Sequence, residues 1–216
     1  MMLRVYLTFK FGLLFFLLQP FVHEILIRPF SKFSMVILMD FFEVVKKRRS
    51  IRKYQDRKVP REYVEKILEV AFYSPSSMNR RPWHFVVVEG REIIKKLANT
   101  RGALRFLETA PLAIVVCGDE KISSAWVFDA SIAAEHIQLA ATALGLGACW
   151  GHVLDRQHSE EKSAEDYVRE LLGIPEHVRI LCVIGIGYPV EQKLEHDEKE
   201  IMWERVHLNE FGNAFK

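Results

Sequence analysis

VPREYVEKILEVAFYSPSSMNRRPWHFVVVE, residues 59–89, holds the transition that decides the fold. Val64, Ile67, Leu68, Ala71 and Phe72 recur at helical spacing, so the stretch after Pro60 predicts a helix with this face turned inward. Pro60 sits near its first position, where a missing N–H costs nothing. Residues 73–82 are too rich in Pro, Ser and Asn for helix or strand and read as a loop. WHFVVVE, residues 83–89, then reads as a strand. Upstream, residues 40–47 predict a short helix, with Asp40 as N-cap and Glu43 three residues on. Two helices therefore precede the first strand. That favours an α+β sandwich, a mainly antiparallel sheet flanked by helices, over a doubly wound sheet.

The remaining elements follow at short intervals. Residues 91–99 predict a helix and LAIVVC, residues 112–117, a strand. Residues 123–144 predict a long alanine-rich helix burying Trp126, Ile132, Ala133, Ile137, Ala140 and Leu144, suited to a core or a subunit interface. A short strand with Cys149 and Trp150 falls within residues 145–151. Residues 164–172 predict a helix ended by Gly173 and Pro175. VRILCVIGIG, residues 178–187, is a strongly apolar strand expected near the middle of the sheet. A polar tail over residues 192–200 precedes an amphipathic stretch carrying Trp203, Val206 and Leu208.

Half of the 216 residues are hydrophobic and 27% are charged, which is globular composition. A net charge of +2 gives no general attraction to nucleic acid. The charge is uneven, however: residues 46–58 hold eight basic residues and one acid, Asp56. The three cysteines, Cys117, Cys149 and Cys182, lie far apart in apolar runs and read as buried inert thiols in a reducing, cytoplasmic compartment. The eight histidines are scattered, and His136 reads as a satisfied core or interface residue. HExxH, GxSxG and P-loop patterns do not occur.

Residues 1–38 differ from the rest. FGLLFFLL, residues 11–18, is too short to span a bilayer, which takes roughly 20 residues. No small-x-small cleavage site follows it. Export signal, peripheral membrane anchor and over-extended reading frame all fit, and the last is favoured, with Met39 as natural start. Residues 39–216 are then the working domain, with no membrane association expected.

Three elements carry candidate chemistry. In Arg48-Arg49-Ser50-Ile51-Arg52, an extended backbone would place Arg48, Ser50 and Arg52 on one face. Guanidinium forks suit phosphate because each binds two oxygens at once. On this segment alone, a solvated basic patch is an equal reading. Residues 74–83, SPSSMNRRPW, gather hydroxyls, an amide and arginines ahead of a buried strand. Such a loop can hydrogen-bond a polar heterocycle or sugar chain, or simply connect elements. Gly185-Ile186-Gly187-Tyr188-Pro189 ends a strand but is not GxGxxG, and its glycines read as permitting close backbone approach.

In this order and spacing, the segments RRSIRKY (48–54), Ala71 with SPSSMN (74–79), PWHF (82–85), LGLG (144–147) with Cys149-Trp150, and IGIGYP (184–189) resemble the FMN-dependent nitroreductase family. The resemblance covers residues 39–216. It implies a domain-swapped homodimer binding one FMN per subunit at the interface. NADH or NADPH would reduce the FMN, which would then reduce a nitroaromatic, quinone or related electron-poor acceptor in a ping-pong cycle. It implies that Arg48 and Ser50 meet the phosphate and ribityl chain, with Arg49 in the same grip. Arg52 would reach toward the isoalloxazine ring, where a cation favours the reduced anion. Pro75, Ser76 and Ser77 would come from the partner subunit. Asn79 would bond the ring of the flavin held by its own arginine segment, and Trp150 and Gly151 would lie near N5.

A late basic residue usually completes the phosphate site in this family; Lys199 is the candidate here, with Lys193 behind it. Two features depart from the pattern. Arg81 stands where many members have Gln, and residues 195–200 are acidic. The resemblance calls for no protein nucleophile and no metal, since the flavin carries the redox chemistry. Two alternatives remain. One is a specialised enzyme on the same scaffold, a reductive dehalogenase or flavin-cleaving enzyme, for which an extra lid would speak; residues 155–166 are too few for a large one. The other is a non-catalytic flavin-binding module.

Overall fold

The computed structural model describes residues 40–216. The readings made for residues 1–38, and Met39 as a start, lie outside the described residues.

Among the described residues two helices come first, as expected: α1, Phe41–Lys47, and α2, Arg61–Phe72. Asp40 occupies the N-cap position of α1, but its side chain makes no capping bond. Val64, Ile67 and Ala71 of α2 are buried. Phe72, expected inside, is 53% exposed and meets Phe85 edge to face. The next elements are β1, Trp83–Val88; α3, Arg91–Ala98; and β2, Leu112–Asp119. Between α3 and β2 runs a 3-10 helix, Gly102–Thr109, which the sequence reading did not anticipate.

The long helix α4 spans Trp126–Ala143. It starts three residues later than expected because Ser123 is spent on a turn: its Oγ accepts from Ala125 N at 3.1 Å and its carbonyl from Trp126 N at 3.2 Å. Ile132, placed on the buried face by the sequence reading, is exposed. β3, Gly147–His152, α5, Ala164–Leu172, and β4, Val178–Gly187, complete the fold. α5 is capped at both ends, by Ser163 Oγ accepting from Asp166 N and by Gly173 at φ 66°. Beyond β4, the short 3-10 turns Glu198–Glu200 and Trp203–Arg205 stay on the surface, so the terminal amphipathic stretch is exposed on this chain.

The four strands form one sheet in the order β1-β2-β4-β3, and every neighbouring pair is antiparallel. β2 and β4 are central, and their side chains alternate between two cores. Ala113, Val115 and Cys117 of β2 face α3, the 3-10 helix and α5. Leu112, Ile114 and Val116 face α2 and α4. The architecture is thus α+β, an antiparallel sheet with helices on both sides. The three thiols are free and buried. Burial pushes Cys117 up to about 12 and raises Cys149 and Cys182 as well. Among the described residues, no helix is long and apolar enough to cross a membrane.

Candidate functional site

The basic segment begins where α1 ends. Arg48 N still bonds back to Val44 O at 2.9 Å, but Arg48 itself has φ −59° and ψ 115°, so the chain turns out of the helix there. It runs beside β3 as a short parallel bridge from Ser50 to Ala148, and Ile51 N donates to Ala148 O at 2.9 Å. Gly147 makes this close approach possible, because a Cβ there would lie 2.7 Å from Ile51 Cβ. Three residues later, Tyr54 latches the segment to the sheet. Its buried hydroxyl lies 2.5 Å from Ile51 O and 3.0 Å from Gly185 O. Burial raises its pKa far above the ordinary phenol value.

A strap from the far end of the chain crosses this segment. Arg52 N donates to Glu191 Oε1 at 2.6 Å, Lys193 Nζ to Ser50 O at 2.7 Å, and His196 N to Lys46 O at 3.0 Å. Arg49 Nη1 donates to Leu194 O. Arg48 pairs through Nε with Glu135 of α4 at 3.4 Å, and its Nη2 donates to His196 Nε2 at 3.5 Å. His196 Nδ1 lies 2.7 Å from Glu200 Oε2, which suits the tautomer protonated on Nδ1. The backbone bend at Arg48 thus lets adjacent Arg48 and Arg49 converge on one strap, where simple alternation would divide them between faces.

Electrostatics follow from these contacts. Accepting the Arg52 N–H holds Glu191 below the usual carboxylate range, and the His196 bond does the same for Glu200. Partial burial pushes Glu135 up, against the pull of Arg48. Two clefts adjoin here. One of about 900 Å³ has Lys46 and Arg49 on the segment side and Lys193, Glu195, Asp197, Glu198 and Glu200 on the strap side. The other, of about 250 Å³, is bounded by Arg49, Lys193, Ile51, Thr142, Leu146 and Gly147. Arg49 and Lys193 line both. Lys199 lines neither; its backbone N–H donates to Asp197 Oδ1 at 3.1 Å within the turn.

The loop of residues 74–82 lies on another part of α4. Ser74 Oγ and His136 Nδ1 share a 2.7 Å hydrogen bond, so His136 is a satisfied residue, as its sequence context suggested. Ser77–Asn79 forms a 3-10 turn inside what had read as plain loop. Pro75, Ser77 and Asn79 are exposed, and Ser76 half-buried. Arg81 Nε donates to Asn79 Oδ1 at 2.9 Å, so Arg81 is engaged with its own loop. Glu135 and His136 are adjacent on α4, one touching Arg48 and the other Ser74, so a single helix carries both halves of the predicted site. Trp150 is half-buried on β3, its ring stacked 6.4 Å from that of His152, and Gly151 beside it is buried.

The sequence matches the Nitroreductase family over residues 45–103 and 98–188, two thirds of the chain. The chain belongs to the nitroreductase family. A protein of Methanothermobacter thermautotrophicus named "Putative NADH dehydrogenase/NAD(P)H nitroreductase" is 44% identical over 176 residues, covering 80% of this chain and 88% of that protein. The structure of an FMN-dependent nitroreductase from Clostridium difficile R20291 superposes with a TM-score of 0.77 at 42% identity, covering 79% of this chain and 99% of that one. An iodotyrosine deiodinase of Thermotoga neapolitana is 25% identical, covering 74% of this chain and 95% of that protein.

In this nitroreductase-family chain, sequence reasoning singled out the segment and the loop as candidates but did not name the groups that hold them. Glu135, Glu191 and His196 belong to the segment's surroundings, and Tyr54 is its latch. Asp129, 3% exposed on α4, accepts from Ser77 N at 2.8 Å. One signal was available for Asp129. It stands among Trp126, Ala130 and Ala133 on the buried face of an apolar helix, where an acid needs a partner.

Proposed function

We propose that this chain is an FMN-dependent oxidoreductase that takes electrons from NADH or NADPH and passes them to a nitroaromatic, quinone or similar electron-poor acceptor. The observation that carries the reading is that Arg48 and Arg49 meet residues 194–196, and Lys193 meets Ser50, where the strap crosses the basic segment at the edge of β3, with Arg49 and Lys193 lining both clefts. This donor set suits FMN: cations for a phosphate, and the small or apolar Ile51, Gly147 and Leu146 beside a cleft that would take a flat ring or sugar chain. Bound FMN would supply the redox chemistry.

The protein's own part is to bind and orient. Arg48, Arg49, Ser50 and Lys193 would hold the phosphate end, and Arg52 would serve the ring. Trp150 and Gly151 would border the reactive edge. Pro75, Ser76 and Ser77 would come from a second copy, and Asn79 would serve the flavin of its own chain. Exposed apolar side chains support a homodimer: Phe41 and Phe42 on α1, Phe128 and Ile132 on α4, and Trp203 and Phe211 beyond β4. Chain exchange across that dimer completes the swap. Buried free thiols fit a reducing cytoplasm.

The test is the visible spectrum of the purified protein, followed by anaerobic titration with each nicotinamide. NADH or NADPH should bleach a yellow flavin band, and a nitroaromatic or quinone should restore it. A flavin that neither nicotinamide bleaches would make the chain a binding module. The deiodinase relative favours one second reading, reductive dehalogenation on the same scaffold. Against it, residues 155–163 fold back on themselves through the Gln157–Ser163 bridge, and His158 Nδ1 bonds Thr100 O at 2.8 Å, so they form no lid. Reoxidation of the reduced protein by an iodophenol in preference to a nitroaromatic would reverse that order.

A further inference from the structure

The Ser77–Asn79 turn is held in a costly shape. Met78, Asn79 and Arg81 all have left-handed backbones, at φ 51°, 56° and 51°. Asn tolerates that region, but Met and Arg adopt it only where surroundings impose it. Met78 is 78% exposed, so its side chain has little packing to impose anything. Bonds internal to the loop shape it: Asn79 N to Ser76 O at 3.0 Å, Arg80 N to Ser77 O at 3.1 Å, and Arg81 N to Ser76 Oγ at 2.9 Å. These fix the loop's form but not its place.

Its place is set by bonds to the body. Ser74 is tied to His136 at the entry, and Pro82 O accepts from Asp119 N at 2.7 Å at the exit. Between them, Asp129 Oδ1 accepts from Ser77 N at 2.8 Å. The other carboxylate oxygen accepts from Ser123 Oγ at 3.3 Å, and Ser123 is itself buried. An oriented, buried carboxylate accepting a backbone N–H is among the stronger hydrogen bonds a protein makes. It reaches the first residue of the strained turn.

We infer that Asp129 is the positioning residue of the flavin-contacting loop, fixing Ser76, Ser77 and Asn79 at the height along α4 from which they meet the cofactor. This rests on the FMN reading given above. Asp129 touches no cofactor; it acts through Ser77 N. With the carboxylate gone, the loop keeps its internal bonds but loses its middle anchor, and the ordering cost falls on flavin binding.

The experiment measures FMN dissociation constants by fluorescence quenching, with circular dichroism confirming the fold. Asp129→Ala is expected to weaken FMN at least tenfold. Asp129→Asn, which keeps an oxygen for Ser77 N–H, is expected to stay within threefold of wild type. That rescue would not occur if the residue served the fold through its charge. Asp129→Ala binding within threefold of wild type, or Asp129→Asn as weak as Asp129→Ala, overturns the assignment. If Asp129→Ala does not fold, Ser77→Pro removes the same bond from the donor side. Ser76 already has φ −140° and ψ 155°, a conformation that a following proline accepts. Ser77→Pro should bind at least tenfold more weakly than Ser77→Ala, which drops the same hydroxyl but keeps the N–H, and equal affinity in the two would overturn the proposal equally. Arg48→Ala serves as the control. Loss of affinity in Arg48→Ala alone removes only the role of Asp129, whereas unchanged affinity in both variants removes the cofactor site and this inference with it.

Discussion

At the scale of single residues, the site depends on groups that touch the basic segment from behind. Tyr54 is the clearest case, since its hydroxyl faces two buried carbonyls, Ile51 O and Gly185 O. Tyr54→Phe keeps the ring and leaves both oxygens without that donor. It should cost about 1–3 kcal/mol of stability, read from urea unfolding. Glu191 gives a pH dependence. Its carboxyl is held below its ordinary value by the Arg52 N–H, so the folded state binds its proton less readily than the unfolded chain. The contribution is therefore present above the unfolded carboxylate value and is lost as pH falls through the folded one. FMN affinity measured down through that acid range should fall as the strap lets go of Arg52. Glu191→Gln, which accepts without titrating, should flatten that part of the fall. Glu200, bonded to His196 on the same strap, is shifted in the same direction and should leave a residual acid limb.

At the scale of elements, periodicity and punctuation made most of the fold legible. β4 stood out because ten residues with almost no polar interruption suit a central strand buried on both faces. α5 stood out because Gly173 and Pro175 mark its end, and the structure adds Ser163 as its N-cap. The 3-10 helix Gly102–Thr109 escaped because its GALRFLET has neither a helical nor a strand period over enough residues. Ile132 was misplaced for another reason. α4 is apolar nearly all round, so its sequence does not say which apolar side is covered by its own chain. At the candidate site, the arginines and the SPSSMN loop could be proposed from sequence because their chemistry is local. Glu135, Glu191 and His196 could not, because their roles come from contacts many residues away in sequence. Gly187 tests the reading of close approach in the IGIGYP stretch. A Cβ there would lie 2.6 Å from Pro111 Cδ and 3.1 Å from the Tyr54 ring. Gly187→Ala should destabilise by about 1–3 kcal/mol, measured by denaturant unfolding.

At the scale of the whole molecule, the two cores give a test independent of the cofactor. All three thiols lie in or between them, with Cys117 pushed up to about 12 and the other two raised by burial. At mildly alkaline pH almost none is thiolate, so a chromogenic disulfide reagent should find no fast-reacting thiol in the native chain and three in denaturant. A rapid single equivalent from native protein would show that Cys149, nearest the Ser50 hydroxyl and the site, is more accessible than its burial implies. The strap adds a consequence for biogenesis. Residues 46–52 emerge early from the ribosome and residues 191–196 late, yet each half of the grip bonds the other. A nascent chain that has not yet released its last two dozen residues therefore has arginines but no closed anchor. If the proposed cofactor site holds, FMN would load only after synthesis is complete, and a chain truncated before residue 191 should purify without flavin.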